Sequence, residues 1–220
     1  MKGLLLTMTE PAPEMEEEFN AWYDTEHMHE RLSIPGFISA RRWVDPDAPA
    51  GTGKYLATYE LENLGVLGTP GYLAYVGDNF TPWSKRCLAR CVMFRRWASE
   101  QIFPGDALPD PAAKAQFLVL CDTPDEHEAE FNRWYNEEHL PLMLKFPGIL
   151  GARRFRASDG QPRYFTLYDL ADAGVPERID WRSTMNTQWA QKVAAFANVR
   201  DWQLRCYGTY IPSPRLRGEG

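Results

Sequence analysis

Two strings in this chain set an imidazole directly after a carboxylate, Glu26-His27 and Glu138-His139. Each follows the same aromatic run, Phe19-Asn20-x-Trp22-Tyr23 in one case and Phe131-Asn132-x-Trp134-Tyr135 in the other. Histidine is the side chain whose ordinary pKa lies between 5 and 8, so it can take up and return a proton near neutrality. A carboxylate beside it can orient it or share its charge. Large rings next to the pair offer a surface on which a flat organic molecule can lie. The chemistry indicated is general acid–base catalysis, with His27, His139, Glu26 and Glu138 as the catalytic candidates. A bland reading stands beside it: Glu26 and Glu138 as internal anchors, bonding Arg41 or Arg153, backbone amides or a Trp indole.

On a straight α-helix each residue advances about 100°. With Phe19 at zero, Trp22 and Tyr23 fall on either side of it, Glu26 at about −20° and His27 at about +80°. Glu26 is then expected in the middle of the apolar stripe and His27 on its shoulder, with the second helix repeating this. A carboxylate at the centre of an apolar face is costly unless paired or protonated, and desolvation moves its pKa and that of a neighbouring His toward the range useful for proton transfer. In the first string a second histidine follows, His27-Met28-His29, where the other reads His139-Leu140-Pro141. On a helix His27 and His29 diverge, which leaves a metal chelate a minor option.

Such helices have to be held against something. A shift of 112 residues lays 19–43 on 131–155 without a gap, and twelve of the twenty-five positions are identical, including Pro35-Gly36 on Pro147-Gly148 and Ala40-Arg41-Arg42 on Ala152-Arg153-Arg154. Chance does not place Trp-Tyr and Glu-His in register twice, so the chain is internally duplicated. Each half reads strand, helix, strand, strand, helix, strand. In the first, Leu4–Met8 is a strand, Glu14 to about Ser33 a helix stopped by Pro35-Gly36, and Phe37–Val44 and Lys54–Leu61 strands. Gly65–Gly71 is a loop; a helix restarts at Thr81-Pro82, and Cys91–Phe103 holds the last strand. The second half has a helix near Ile179–Ala197 and a last strand near Val199–Ile211. This is β-α-β-β-α-β twice, the ferredoxin-like unit, at 1–103 and 114–211, with 104–113 as linker and 212–220 as a C-terminal tail.

Tyr55, Tyr59, Tyr164 and Tyr168 alternate on matched strands, where packing is the default role and presenting phenols to a cavity the functional one. Trp22, Tyr23, Trp134, Tyr135, Tyr59, Tyr168, Arg41 and Arg153 are the candidate substrate-binding residues, the arginines as holders of an oxyanion or carboxylate. Tyr72, Tyr75, Trp83, Trp181, Trp189 and Phe196 could close a pocket from the other side.

The bulk properties exclude several classes. A net charge of −6 with no basic stripe is unsuited to nucleic acid. No run approaches the roughly 20 apolar residues of a membrane span. The four cysteines sit at unmatched places in the two halves, which favours reduced thiols and a cytoplasmic location. There is no G-x-G-x-x-G, P-loop, G-x-S-x-G or C-x-x-C.

Two ferredoxin-like units, each with a Trp-Tyr…Glu-His helix ending in Pro-Gly and then an Ala-Arg-Arg strand, resemble the dimeric α+β barrel superfamily, and within it the EthD-like proteins. The resemblance covers about 1–103 and 114–211 and is most specific at Phe131–Arg154, including Glu138-His139-Leu140-Pro141. It implies an α+β fold in which two tandem units form an intrachain dimeric α+β barrel, helices outside. Relatives of that kind include cofactor-free isomerases and lyases, small monooxygenases and haem enzymes. The expectation is a cofactor-independent enzyme of lyase, isomerase or dehydratase type, acting on a small aromatic or polyketide-like molecule. The alternatives are a cofactorless or haem-dependent oxidoreductase of the same fold, and a non-catalytic binding or structural protein. A homodimer of the pseudo-dimeric chain fits the same picture.

Overall fold

A computed structural model describes residues 1–159, 161–197 and 203–212, without the side chains of Trp181, Arg182 and Gln203. The tail expected at 212–220 and the start of the last expected strand at Val199 therefore fall largely outside the described residues.

The first half runs β1 (Gly3–Pro11), α1 (Glu16–Trp22), α2 (Met28–Leu32), β2 (Phe37–Val44), β3 (Tyr55–Leu61), α3 (Pro70–Leu73), α4 (Pro82–Ala89) and β4 (Cys91–Phe103). The second repeats this with β5 (Ala115–Cys121), α5 (Glu128–Trp134), α6 (Leu140–Met143), β6 (Ile149–Ala157), β7 (Tyr164–Leu170), α7 (Val175–Arg178), α8 (Trp181–Thr184), α9 (Gln188–Phe196) and β8 (Gln203–Thr209). The strands are antiparallel and follow the order β1-β3-β2-β8-β5-β7-β6-β4 in a closed barrel. The chain divides into two compact units, one of residues 1–100 together with the chain from Thr209, the other Gln101–Gly208.

Within each unit one strand sits centrally. In the first, β1 lies between β3 and β4, pairing Leu5 with Tyr59 on one side and with Ala98 on the other. All seven positions of β3, and all seven of β7, are buried, so both faces of those strands are covered. One face of the first unit's sheet carries Leu5, Tyr55, Ala57, Tyr59 and Leu61, which pack against Phe19, Trp22 and Tyr23 from the helical segment. The second unit does the same with Phe117, Val119, Tyr164 and Tyr168 against Phe131, Trp134 and Tyr135.

The Pro-Gly stops have a steric cause. Gly36 has φ +94°, and a Cβ there would lie 2.5 Å from a Val66 methyl; Gly148 has φ +94° and would meet Val175 at 2.7 Å. Both position and dihedral require glycine. Thr81 caps α4 by accepting from the Ser84 N–H, and Thr187 caps α9 by accepting from Ala190. The region expected as a loop at Gly65–Gly71 instead holds a 3₁₀ turn and the start of α3. The helix expected across Ile179–Ala197 is broken into α8 and α9.

Candidate functional site

Between α1 and α2 the chain does not continue as α-helix. Residues Tyr23–His27 form a π-helical turn in which the Met28 N–H donates to the Tyr23 carbonyl five residues back. Tyr135–His139 repeats it, Leu140 donating to Tyr135. One extra residue in the turn sets everything after it back by about 100° relative to an unbroken α-helix. His27, expected on the shoulder, thereby comes round to the buried face, and Glu26 swings off its centre.

The burial follows. His27 and His139 are 7% and 6% exposed. His27 lies 4.4 Å from the Trp22 ring and 5.0 Å from Tyr23, and His139 lies 4.7 Å from Trp134 and 4.9 Å from Tyr135. In both rings Nδ1 is buried without a hydrogen-bond partner among the described residues; the nearest carboxylate to His27 is Glu30, at 3.9 Å. Burial, and after it the charges of Arg31 and Arg42, hold His27 well below the usual imidazole value. Burial, and then Arg154, lower His139 to about 4. Both are neutral imidazoles near pH 7.

The two glutamates point elsewhere. Glu26 accepts from the Thr81 hydroxyl at 2.6 Å and from Ser84 at 3.4 Å, while Ser84 takes the Trp22 indole N–H at 3.1 Å. Glu138 accepts from the Thr187 hydroxyl at 2.6 Å and directly from the Trp134 indole at 3.0 Å. Each carboxylate ties the π turn to the capping residue of the following helix. Of the anchoring partners expected, the Trp indole is found on Glu138, and the Thr81 and Thr187 hydroxyls join as partners that were not expected.

The expected arginines are corrected in both halves. Side chains alternate across a strand, and it is Arg42 and Arg154 that face the helices. Arg42 bonds Asp24 at 2.8 Å and Asn20 at 2.6 Å, with its guanidinium 4.3 Å from the Tyr23 ring and 3.9 Å from Tyr210. Arg154 bonds Asn136 and Asn132. Arg41 and Arg153, the expected oxyanion or carboxylate holders, are on the opposite face, Arg41 over Trp43 and Arg153 buried 3.8 Å from Asp169. His127 is half-buried and stacked on Phe196 at 4.1 Å.

His27 borders a small, partly open cavity of about 60 Å³ within the first unit. Its polar lining is Thr7, Tyr23, His27, Arg31, Tyr59, Tyr72 and Arg96, and its apolar lining includes Val76, Phe80 and the exposed Phe94. Tyr59 donates to the Tyr23 hydroxyl at 3.3 Å, and Tyr23 lies 3.5 Å from Thr7. Of the residues expected to bind substrate in this half, Trp22, Tyr23 and Tyr59 line the cavity and Arg41 does not. Arg31 and Arg96 were missed. With the π turn counted, Arg31 moves from the side of the helix onto its buried face, a rotation that no 100° projection reveals.

The corresponding cage in the second unit keeps Trp134, Tyr135, His139 and Tyr168 but not the polar lining. Position by position, Arg31 is matched by Met143 and Thr7 by Val119, and the partner of Thr7 on the neighbouring strand, Arg96, is matched by Leu204, the partner of Val119. A larger hollow of about 180 Å³ in this unit is lined by Leu142, Lys145, Phe146, Ser183 and Thr184, without His139. Of the two, the smaller cavity is the one that a histidine borders.

No family model matches the chain, and no curated protein matches it by sequence. Solved structures do match. An anthrone oxidase-like protein superposes with TM-score 0.67 at 12% identity, covering 96% of this chain and 91% of that one. Chlorite dismutase from Candidatus Nitrospira defluvii superposes with TM-score 0.60 at 9% identity, over 98% and 93%. The fold is a dimeric α+β barrel. A third neighbour, a major regulator of staphylococcal pathogenesis (TM-score 0.52, 10% identity, 94% and 99%), is of another functional kind, so the dimeric α+β barrel does not by itself select an activity.

Within this barrel a haem with a histidine ligand, one of the expected alternatives, can be tested against the residues. A porphyrin needs far more room than about 60 Å³, against the roughly 300–1,000 Å³ of pockets for drug-sized ligands. His27 and His139 also stand edge to face against Tyr23 and Tyr135, inside aromatic cages. These residues do not fit haem. Among the described residues no cluster of three or more His, Cys, Asp or Glu could hold a metal ion, and no helix is long and apolar enough to cross a membrane.

Proposed function

We propose that the chain is a small-molecule enzyme whose working site is the first-unit cavity, with His27 as the base that removes a proton from an enolisable or phenolic aromatic molecule. The observation that carries this reading is a neutral, buried imidazole with an unpartnered Nδ1, bordering a cavity whose other polar lining residues are Thr7, Tyr23, Tyr59, Tyr72, Arg31 and Arg96. The cavity takes the oxygen-bearing end of the guest, and its rings lie in the mouth against Val76, Phe80 and Phe94. As the proton leaves, negative charge grows on that oxygen. Burial holds the Tyr59 phenol well above its ordinary pKa, so it keeps its proton, and the Tyr59–Tyr23 hydroxyl pair is turned to that charge. Glu26 has no part in the proton transfer and keeps the turn in place.

Once formed, the anion has several exits. Reprotonation at another carbon is isomerisation, and loss of a leaving group is a lyase or dehydratase reaction. Oxidation by dioxygen is a third, favoured by the likeness to an anthrone oxidase-like protein. For anthrone the balance closes with no further reductant: the ring CH₂ gives up two hydrogens, one oxygen atom becomes the new carbonyl, and the other leaves as water. Proton removal is common to all three and is the step to test. Deuterium exchange at the acidic C–H is followed by NMR over a panel of enolisable aromatic ketones and ketoacids, anthrone included, in air and without oxygen. The expected result is exchange that His27→Gln abolishes and His139→Gln spares. Exchange that is no faster with the wild type than with His27→Gln on every member would remove the proposal.

A further inference from the structure

We infer that Arg31, with Arg96 at the cavity mouth, is the seat of a carboxylate, so that the molecule processed here is an aromatic acid. This rests on the proposed role of the His27 cavity and adds the charge of its guest.

Arg31 is 3% exposed, and among the described residues no carboxylate stands within ion-pairing distance of it. Its Nη2 donates to the Tyr75 carbonyl at 3.0 Å, while Nη1 is buried with no partner. A buried guanidinium left without a counter-charge is costly, and proteins normally supply one. Arg42 in the same unit has Asp24; Arg154, also buried and without an acid, uses both its terminal nitrogens on Asn136 and Asn132. The Arg31 guanidinium stands 5.3 Å from the Tyr72 ring and 6.0 Å from Phe80, which leaves Nη1 still without a hydrogen-bond acceptor beside the cavity.

Arg96 brings a second positive charge to the same space, its Nη2 donating to the Tyr72 hydroxyl at 3.3 Å, and no aspartate or glutamate lines the cavity. The volume agrees. About 60 Å³ is small beside the roughly 300–1,000 Å³ of pockets for drug-sized ligands, and suits a carboxylate head with its ring left in the mouth. The second unit supplies the control. There the cage around His139 persists, but Met143, Val119 and Leu204 replace both cations and the hydroxyl together. The imidazole cage belongs to the fold of either half, whereas the cationic seat belongs to one.

A carboxylate on Arg31 also acts on the base. The charged and titratable groups facing His27 are Arg31 and Arg42, Glu30 at 3.9 Å from Nδ1, and the Tyr23 and Tyr59 phenols. Neutralising the Arg31 cation removes one of the charges that oppose protonation, so the imidazole becomes a stronger base once an acid is seated.

The test uses benzoate as the probe, with benzamide and phenol as neutral counterparts, on the full chain by calorimetry and by NMR of the histidine ring signals. Saturable benzoate binding is expected, weakened at least tenfold by Arg31→Met and by Arg96→Leu, partly retained by Arg31→Lys, and falling with added salt. The His27 ring should titrate at higher pH with benzoate present, and this shift should be missing in Arg31→Met. His27→Gln should keep benzoate binding while losing proton exchange, so the anion seat and the base fail separately. Arg31→Met introduces the residue that the second unit carries; should it fail to fold, exposed Arg96→Leu decides alone. Absence of saturable benzoate binding, equal binding of benzamide, or binding untouched by the arginine substitutions overturns the inference.

Discussion

The first unit's helical segment and its copy in the second share a backbone, a π turn, an aromatic cage and a buried neutral imidazole. They differ in what surrounds the imidazole. In the first unit two guanidinium groups and a threonine border open space beside the phenols; in the second the phenols Tyr135 and Tyr168 remain, but Met143, Leu204 and Val119 stand where Arg31, Arg96 and Thr7 do. The comparison separates what the fold needs from what chemistry needs. Histidine packed between tryptophan and tyrosine is retained in both halves and is therefore compatible with a structural role, whereas Arg31 and Arg96, which touch Tyr72, line a cavity in the first unit alone.

The largest effect that could break this contrast is on turnover. His27→Gln is expected to lower kcat by roughly 10²–10⁴-fold, the usual worth of a positioned acid or base, with His139→Gln near wild type. Equal losses in the two variants, measured by steady-state kinetics, would return function to both halves.

A second test sets the halves on an equal footing, since burial acts on both imidazoles. His139 has a folded pKa of about 4 against 6.5 unfolded. As pH falls the unfolded chain therefore binds the proton first. The stability gained by keeping this ring neutral is complete above pH 6.5 and is lost as pH falls toward 4, about 3 kcal/mol in all. His27 contributes in the same direction. Denaturant melts between pH 7 and 4 should steepen accordingly, and His139→Gln should flatten the fall; an unchanged slope would mean that the ring is not held neutral.

Glycine substitutions probe the shared frame more gently. Gly36→Ala and Gly148→Ala each impose a positive φ and a contact under 3 Å on a side chain, and each should cost about 1–3 kcal/mol by chemical denaturation. Similar costs in the two halves are expected because the frame is common to both. Smallest are Glu26→Gln and Glu138→Gln, at about 1 kcal/mol of stability, since an amide oxygen can still accept from Thr81 or Thr187. A large loss of turnover with Glu26→Gln and unchanged stability would move that carboxylate from anchor to participant.

The repeat, the strand order and the Pro-Gly stops were all legible, because twofold alternation and a repeated string survive in the residues themselves. Tyr59 and Trp22 could be nominated for the cavity for the same reason. What could not be read was rotation about the helix axis. The π turn is invisible to a 100° projection, so Glu26 was set at the centre of the apolar face and Arg31 was not considered. The choice of Arg41 and Arg153 over Arg42 and Arg154 failed differently: in an Arg-Arg pair on a strand one member must face each way, and nothing in the pair says which. The difference between Arg31 and Met143 stands in the sequence, but it gains meaning only when both are known to lie beneath an imidazole.

The five-residue turn between α1 and α2 has a consequence for how such a site can arise. An in-frame insertion or deletion of one codon there redirects every later side chain of the segment by about a quarter of a revolution, carrying His27 and Arg31 together toward the sheet or away from it. Because the turn stands at the same place in both halves, that indel event is most simply older than the duplication. The ancestral single-copy protein would already have had its imidazole turned inward, before either half came by, or gave up, a positive charge.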